Sequence, residues 1–179
     1  MPARSLSSLG ARHQSRVSTG AQFVTFRLGE EEYGIDISRV REIIRIQGVT
    51  HLPGLPSFTE GVINLRGHVI PVIDLRKRFR LSTGTGALLC GQAEPVHAVA
   101  NRFIIVVQVE NRIVGFIVDS VSQVLKAREE QIEAPPPDIA KVGRRYLSGI
   151  CKLDKRMVVI LDTNAILSTE ESQALEGVA

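Results

Sequence analysis

Aromatic residues and cysteines are scarce in this sequence. It has no Trp, and Phe and Tyr together make up only 4% of its 179 residues. Hydrophobic residues nevertheless reach 44%, enough to bury a core, and because they are mostly Val, Ile and Leu they favour strands. Cys90 and Cys151 match no metal-binding or redox spacing, and two thiols in a chain of this size indicate a reduced, cytoplasmic protein.

Long hydrophobic runs are also missing. No apolar segment approaches the roughly 18–20 residues that cross a bilayer, and the first residues lack the apolar stretch of about 7–15 residues found in signal peptides. We therefore expect a soluble protein without direct membrane insertion. The net charge is only +3, and most of the excess comes from Arg4, Arg12 and Arg16. Residues 1–20 are rich in Ser, Arg and Gly without periodicity, which predicts a disordered tail.

Catalytic constellations are absent from the sequence. No serine lies in a nucleophile-elbow context, and the glycines at 84 and 86 lack the Lys-Ser/Thr of a phosphate-binding loop. Each histidine lacks a second ligand at metal spacing. We therefore expect neither an enzyme nor a cofactor or metal site. The histidines are His13, His51, His68 and His97.

Two hairpins are predicted in the first half of the chain, and both recur in the second half. Residues 23–37 form an apolar run, a polar turn and a second run, and the same order recurs 81 positions later from Ile104. The stretch 61–75 recurs 88 positions later as 149–163, with matching Gly, Leu and strand-ending Asp. Two repeated segments in the same order indicate an internal duplication of a small all-β unit.

Each unit is predicted to contain about five strands and one short helix. Ser38 can cap a helix through Ile44, with Val40, Ile43 and Ile44 on one face. Short strands close readily into small barrels, in which Pro71 needs an edge position or a bulge. The predicted division is a first barrel at about 21–81, a mobile loop at 82–101, a second barrel at about 102–166 with strands that can be exchanged between barrels, and a C-terminal helix or tail at 168–179.

The segment Arg76–Arg80, with the sequence RKRFR, is the one basic cluster. Small barrels do bind nucleic acid through basic grooves with stacking aromatics. Only one Phe accompanies this cluster, and charge runs on surfaces are common, so a solvated helical turn is favoured. A nucleic-acid-binding module remains the alternative from another functional class.

The duplication indicates which residues of the Asn64–Gly67 turn the barrel fold requires and which are free to serve binding. Arg66 aligns with Asp154 in the second copy, and Glu42 aligns with Gln123. Residues that change charge between copies are not requirements of the shared fold. This comparison favours a binding role for Arg66 and Glu42 slightly over that of solvated surface residues.

Three stretches are similar to a known family. FRLGEEEYGIDISRVREI (26–43), LPGLPSFTEGVINLRGHVIPVIDLRKRF (52–79) and YLSGICKLDKRMVVILD (146–162) resemble the CheW-like coupling proteins of bacterial chemotaxis. The resemblance covers about residues 22–167. It implies two intertwined SH3-like five-stranded barrels and a non-catalytic adaptor, which is cytoplasmic and recruited to membrane-associated receptor arrays.

The resemblance also implies partners and site residues. The partners would be the cytoplasmic tip of a chemoreceptor, the regulatory domain of the histidine kinase CheA and other CheW-like proteins in array rings. A coupler of a non-flagellar pathway, such as pilus motility, is the alternative within the family. Gly61, Asn64 and Gly67 would shape the hairpin, and Gly115 would be a family glycine of the second barrel. The receptor-facing residues would be Ile37, Val40, Glu42, Ile44, Val62 and Arg66.

Overall fold

The computed structural model describes residues 20–81, 101–137 and 144–176. The predicted tail and the predicted loop between the barrels lie almost wholly outside these residues. Eleven strands and three short α-helices form within the described part of the chain, which confirms the predicted all-β class with short helices. The strands are β1 (Ala21–Leu28), β2 (Glu31–Asp36), β3 (Val40–Arg45), β4 (Thr59–Leu65), β5 (His68–Asp74), β6 (Phe103–Val109), β7 (Arg112–Val118), β8 (Ser120–Ala127), β9 (Ile132–Glu133), β10 (Leu147–Leu153) and β11 (Arg156–Leu161). The helices are α1 (Leu75–Phe79), α2 (Thr163–Ile166) and α3 (Thr169–Glu176).

The strands form two sheets, each curled into a small barrel. One barrel has five strands in the order β3-β6-β7-β5-β4, and the other has six in the order β8-β1-β2-β11-β10-β9. Most neighbouring strands are antiparallel, but β5 with β7 and β11 with β2 are parallel. These two parallel contacts occupy corresponding places in the two barrels.

The strand register agrees with the internal duplication. Phe26 pairs with Tyr33 in the first hairpin, and 81 positions later Val107 pairs with Val114 in the same way. The hairpins β4-β5 and β10-β11 are related by 88 positions, and both shift register immediately before their matching glycine. The two halves of the chain therefore fold as copies of one unit.

Each barrel combines strands from both copies. The hairpin β6-β7 of the second copy completes the barrel of β3, β4 and β5. The hairpin β1-β2 of the first copy lies between β8 and β11 in the other barrel, which also contains β9 and β10. The five-stranded barrel therefore uses residues 40–118, and the six-stranded barrel uses 21–36 and 120–161. The expected ranges 21–81 and 102–166 follow the two copies of the repeat and allowed for strands exchanged between barrels, and this exchange is why the barrels do not coincide with the copies. The repeat shows which segments are alike, but it does not show which copy supplies a neighbouring strand.

Three hydrophobic clusters hold the barrels together. Two are interior clusters, one per barrel, and four of the six residues in each occupy positions related by the repeat. The third lies between the barrels and takes residues from both, including Phe26, Ile105 and Phe116. Because burial of this shared cluster requires both barrels, it couples their stability. The interior clusters contain Ile63, Ile70, Val72, Ile104, Val106 and Ile117 in the five-stranded barrel and Phe23, Leu125, Ala127, Cys151, Val158 and Ile160 in the six-stranded one.

The prediction of a short helix over 38–44 is wrong beyond its first turn. Only Ile37–Arg39 forms a 3-10 turn, which is capped by Asp36 through a 2.8 Å hydrogen bond from the Ser38 N–H to Oδ1. Val40–Arg45 continues as strand β3 and pairs with β6. The partner strand decides the outcome, because β-branched residues suit a sheet once another strand is available.

The expected edge position or bulge for Pro71 is also wrong. Pro71 lies in β5, between β4 and β7, opposite Val62. Val62 makes its backbone hydrogen bonds to Thr50 on its other side, so the Val62–Pro71 pair lies between the hydrogen-bonded pairs of the β4-β5 ladder. The ladder of β5 with β7 begins only at Val72. The missing N–H of Pro71 therefore interrupts neither ladder.

Candidate functional site

A tight turn presents Arg66 at the end of the β4-β5 hairpin. Arg66 and Gly67 have φ values of 53° and 88°, and two consecutive positive φ values are typical of the two-residue hairpin turns whose twist matches a sheet. The Gly67 N–H donates to Oδ1 of Asn64 at 2.9 Å, which fixes the turn. Glycine is favoured at 67 because of its φ, since the space around the position is open. Arg66 has no such freedom and is held there by its neighbours.

Arg66 forms an ion pair with Glu42 of strand β3. The guanidinium Nη2 lies 3.1 Å from Oε2, with the Arg66 side chain 78% exposed and that of Glu42 27% exposed. The register of β3 shifts at Arg41, so that Val40 pairs with Val107 and Glu42 with Val106. Val106 belongs to the interior cluster of the barrel, and Glu42 therefore lies on that side, at the rim. The structure thus brings together the two residues that the duplication singled out.

Two glycines permit close packing around this hairpin. Gly61 has a φ of 146°, and a Cβ there would lie 2.2 Å from the carbonyl oxygen of Thr50. A Cβ at Gly115 would lie 2.7 Å from Cγ2 of Ile104 in the barrel interior. Both approaches are shorter than any van der Waals contact. Residues larger than glycine would therefore displace the loop before β4 or the strand β7.

The Arg66–Glu42 pair lies at the rim of a cleft of about 720 Å³. Three arginines line this cleft, namely Arg41, Arg66 and Arg112, and Glu42 is the one acidic residue among the described residues that line it. The cleft also contains exposed apolar side chains from β5 and β7. It therefore offers both apolar contact area and guanidinium groups to a partner. Its other lining residues are Leu65, His68, Val69, Ile70, Pro71, Val106, Asn111, Ile113, Val114 and Leu175.

The other four residues of the predicted receptor-facing set do not line this cleft. Ile37, 37% exposed, lies in the 3-10 turn that crosses from one sheet to the other. Val40 packs against the cluster between the barrels and Ile44 against the interior of the five-stranded barrel. Val62 is 8% exposed in β4.

Sequence reasoning missed three residues of the cleft, Arg41, Arg112 and Ile113. Arg41 was not recognised because a helix was predicted over 38–44, and a helix gives Arg41 no neighbour that points to a role. A strand there would have placed it beside β6, where it now donates a hydrogen bond to Gln108. Arg112 and Ile113 follow a hairpin turn, and their proximity to Arg66 depends on the parallel contact of β5 with β7. No local pattern in the sequence indicates that contact.

Three of the four basic side chains of the cluster Arg76–Arg80 form ion pairs within the protein. The helical turn was predicted correctly, and its solvated character holds for Lys77 and Arg80, which are exposed, but not for Arg76 and Arg78. Arg76 pairs with Asp119 at 2.6 Å, and Lys77 pairs with Glu60. An open basic groove is therefore not formed by these residues, and the nucleic-acid alternative is not favoured.

Arg78 has the most buried side chain among the basic residues of that cluster with an ion pair, at 7% exposed. Its guanidinium donates to both carboxylate oxygens of Glu171 at 2.8 and 2.7 Å and to the Ile166 carbonyl at 2.8 Å. It also lies 4.3 Å from the ring centre of Phe58 and 5.1 Å from that of Tyr146. Arg78 therefore fixes helix α3, which contains Glu171, against the six- and five-stranded barrels.

Electrostatics at this contact favour the ionised form of Glu171. Burial raises the pKa of Glu171, but hydrogen bonds from Ser168 and Arg78 and the charge of Arg78 outweigh burial, so the net pKa is lowered. Within residues 20–81, 101–137 and 144–176, no group of three or more His, Cys, Asp or Glu side chains could hold a metal ion. None of the helices in those same ranges has the length and apolar character needed to cross a membrane.

Two strand-exchanged SH3-like barrels, with a charged cleft at the rim of one, define a small-barrel adaptor domain. The family model described as CheW-like domain matches residues 22–171. The chain belongs to this family and is a chemotaxis coupling adaptor.

Individual relatives agree with this assignment. The chemotaxis protein CheW of Klebsiella aerogenes is 38% identical over 162 residues, 90% of each chain. The protein of the same name from Treponema pallidum is 36% identical over 154 residues, 86% of each chain. The crystal structure of the scaffolding protein TtCheW from Thermoanaerobacter tengcongensis matches with a TM-score of 0.72 and 34% identity, over 89% of this chain and 95% of that one.

Proposed function

We propose that this adaptor binds the cytoplasmic tip of a chemoreceptor at the cleft beside Arg66 and Glu42, and the regulatory domain of the histidine kinase CheA on other barrel faces. It has no catalysis and no cofactor of its own, and it acts in the cytoplasm at membrane-associated receptor arrays, where other CheW-like proteins join it in rings. The observation that carries the receptor site is the ion pair between a strongly exposed Arg66 and Glu42 at the rim of an apolar cleft.

The chemistry of this rim suits a helical partner. A helix laid in a groove gains affinity from apolar contact but can slide along it. An arginine fork can donate paired hydrogen bonds to a carboxylate or to exposed carbonyls, and these contacts fix the orientation of the helix. The contact of Nη2 with Glu42 restrains the side chain of Arg66 and leaves most of its surface exposed. Restraint before binding reduces the entropy lost on binding.

The remaining residues of the proposed receptor site have supporting roles. Ile37 offers an exposed apolar side chain at the crossing between the sheets. Val40 and Ile44 are half-buried and hold β3, and Val62 is buried in β4. Substitutions at these three positions should act on receptor binding through the positions of Glu42 and of the β4-β5 hairpin.

Calorimetric titration of substituted chains tests the proposal. Arg66→Ala should weaken binding of a receptor-tip fragment by roughly 1–3 kcal/mol, as truncation of a central interface residue does. Glu42→Ala should also weaken it, because Arg66 loses its restraint. Binding of the isolated CheA regulatory domain should be unchanged in both. The matched control is Asp154→Ala, which truncates the turn residue at the equivalent position of the six-stranded barrel. Receptor affinity equal to that of the unchanged chain in Arg66→Ala would refute the proposed site.

A further inference from the structure

The β6-β7 hairpin supplies part of the wall of the cleft beside Arg66. Residues 111–114 line the cleft, and Ile113 among them is 47% exposed, so the hairpin offers a partner apolar contact area. The turn residue Glu110 has a φ of 50°, in the left-handed region that costs energy for residues other than glycine. A turn of this kind keeps its shape only when neighbouring groups hold it.

Helix α2 holds this turn through a hydrogen bond. The Glu110 N–H donates to Oδ1 of Asn164 at 3.2 Å, across 54 positions of the sequence. Asn164 is itself fixed at the start of α2, because its N–H donates to Oδ1 of Asp162 at 3.0 Å. The C-terminal segment of the chain therefore reaches the hairpin whose residues line the cleft.

Helix α3 supports the same hairpin by packing. Leu175 is 2% exposed and belongs to the cluster shared by the two barrels, together with Val109 of β6 and Val114 of β7. Leu175 and Val114 both line the cleft as well. Among the α3 side chains that the structure describes, Leu175 alone is buried. Because it offers almost no surface to a partner, its role at the cleft is to support the wall, and truncation would leave a cavity into which the wall can relax.

Arg78 holds both helices at once, although it is not among the described residues that line the cleft. Its guanidinium donates to the Ile166 carbonyl at the end of α2 and to both carboxylate oxygens of Glu171 in α3. Ser168 restrains Glu171 further, since its N–H donates to Oε2 at 2.8 Å and its Oγ accepts from the Glu171 N–H at 3.2 Å. Glu171 and Leu175 are four positions apart and so lie on the same side of α3. The position of Glu171 therefore sets that of Leu175.

We infer that the two C-terminal helices brace the β6-β7 hairpin for receptor binding, and that Arg78, Asn164 and Glu171 are positioning residues of the receptor site. The receptor tip packs an apolar side chain on Ile113, and its affinity follows the fraction of chains in which the hairpin holds the bound position. This inference rests on the proposed function, since it concerns the cleft that is proposed to bind the receptor tip.

Two substitutions that loosen the brace outside the cleft test the inference. Asn164→Ala removes the acceptor of the Glu110 N–H, and Glu171→Gln removes the charge opposite Arg78. In calorimetric titration with the cytoplasmic tip fragment of the cognate chemoreceptor, each should bind about three- to tenfold more weakly than the unchanged chain, the factor expected for the loss of one hydrogen bond. Asn164→Asp keeps an oxygen acceptor and should restore binding. Glu170→Gln makes the same change at the exposed neighbour of Glu171 and, as the matched control, should stay within about twofold of the unchanged chain.

Binding of the isolated CheA regulatory domain separates positioning from a simple loss of fold. A partly unfolded variant would lose affinity for both partners by the same factor, and that result would overturn the inference. A loosened hairpin should lose affinity for the receptor tip alone. Leu175→Ala adds a second check, because Glu171 is inferred to act through Leu175. The double variant should therefore bind the receptor tip as weakly as Leu175→Ala does, and fully additive losses would refute the route through α3.

The outcomes also separate this inference from the proposed function. If Arg66→Ala weakens receptor binding while Asn164→Ala and Glu171→Gln match the Glu170→Gln control, the brace is refuted and the receptor site stands. If Arg66→Ala binds the receptor tip as the unchanged chain does, the proposed site is refuted, and the inference falls with it.

Discussion

Replacing Arg78 by alanine should destabilise the whole chain far more than replacing its neighbour Arg80. Arg78→Ala removes two hydrogen bonds to Glu171, one to the Ile166 carbonyl and the stacking on two aromatic rings. Breaking a buried ion pair by removing one partner costs about 3–5 kcal/mol. The side chain of Glu171 is 25% exposed, so water can solvate part of the remaining charge, and a cost of roughly 3 kcal/mol is expected.

Urea unfolding followed by circular dichroism measures this cost. A loss of about 3 kcal/mol corresponds to a fall of roughly 6–12 °C in melting temperature for a chain of this length. Arg80→Ala should stay within about 0.5 kcal/mol of the unchanged chain, because Arg80 is exposed. Arg78→Lys keeps the charge without the fork and should fall between the two. If Arg78→Ala unfolds at the same urea concentration as Arg80→Ala, helix α3 is not held by this contact and the reasoning is refuted.

Three other predictions follow from the geometry. Because the pKa of Glu171 is lowered in the folded chain, ionised Glu171 stabilises the fold above its ordinary pKa of 4.5, and this contribution is lost as the pH falls through the folded pKa. The free energy of unfolding should therefore change less steeply with pH on the acid side in Arg78→Ala, and an identical slope would contradict this. Gly61→Ala should cost roughly 2–3 kcal/mol in urea unfolding, since its Cβ would lie 2.2 Å from the Thr50 oxygen; a change below about 0.5 kcal/mol would show that the loop moves aside freely. Arg66→Gly should be about 1 kcal/mol more stable than Arg66→Ala, because only glycine adopts the positive φ without strain; equal stabilities would show that the turn rearranges.

The sequence allowed the duplication to be predicted because it leaves a periodic trace in the chain. Matching glycines at 61 and 149 and matching aspartates at 74 and 162 mark the same points of two hairpins. Asp74 and Asp162 both accept hydrogen bonds at the start of a short helix, which explains why the two copies share them. Local requirements of this kind act within a few residues and can be recognised in a single sequence.

Contacts between distant segments could not be predicted in the same way. The strand character of 40–45 depends on β6, more than fifty residues away. Arg78 looked like a solvated cation because its partner Glu171 lies 93 residues further along the chain. Arg66 and Glu42 were chosen from the comparison of the two copies, but their contact, and the presence of Arg41 and Arg112 beside them, depend on how the sheets fold. No pattern in the local sequence marks these four residues, because only the pairing of distant strands brings them together.

The exchange of hairpins between the barrels has a consequence for biosynthesis. A chain that leaves the ribosome from its N-terminus can complete the five-stranded barrel once Val118 has emerged, because all five of its strands lie within residues 40–118. The first hairpin, made earliest, has to wait for β8 and β11, and the last of these ends at Leu161. Strands with unpaired edges are open to wrong pairing while they wait. The strands of the barrel beside Arg66 can thus all pair on the nascent chain, whereas the barrel built from both ends closes, and the cluster shared by the two barrels becomes buried, only once Leu161 has been made.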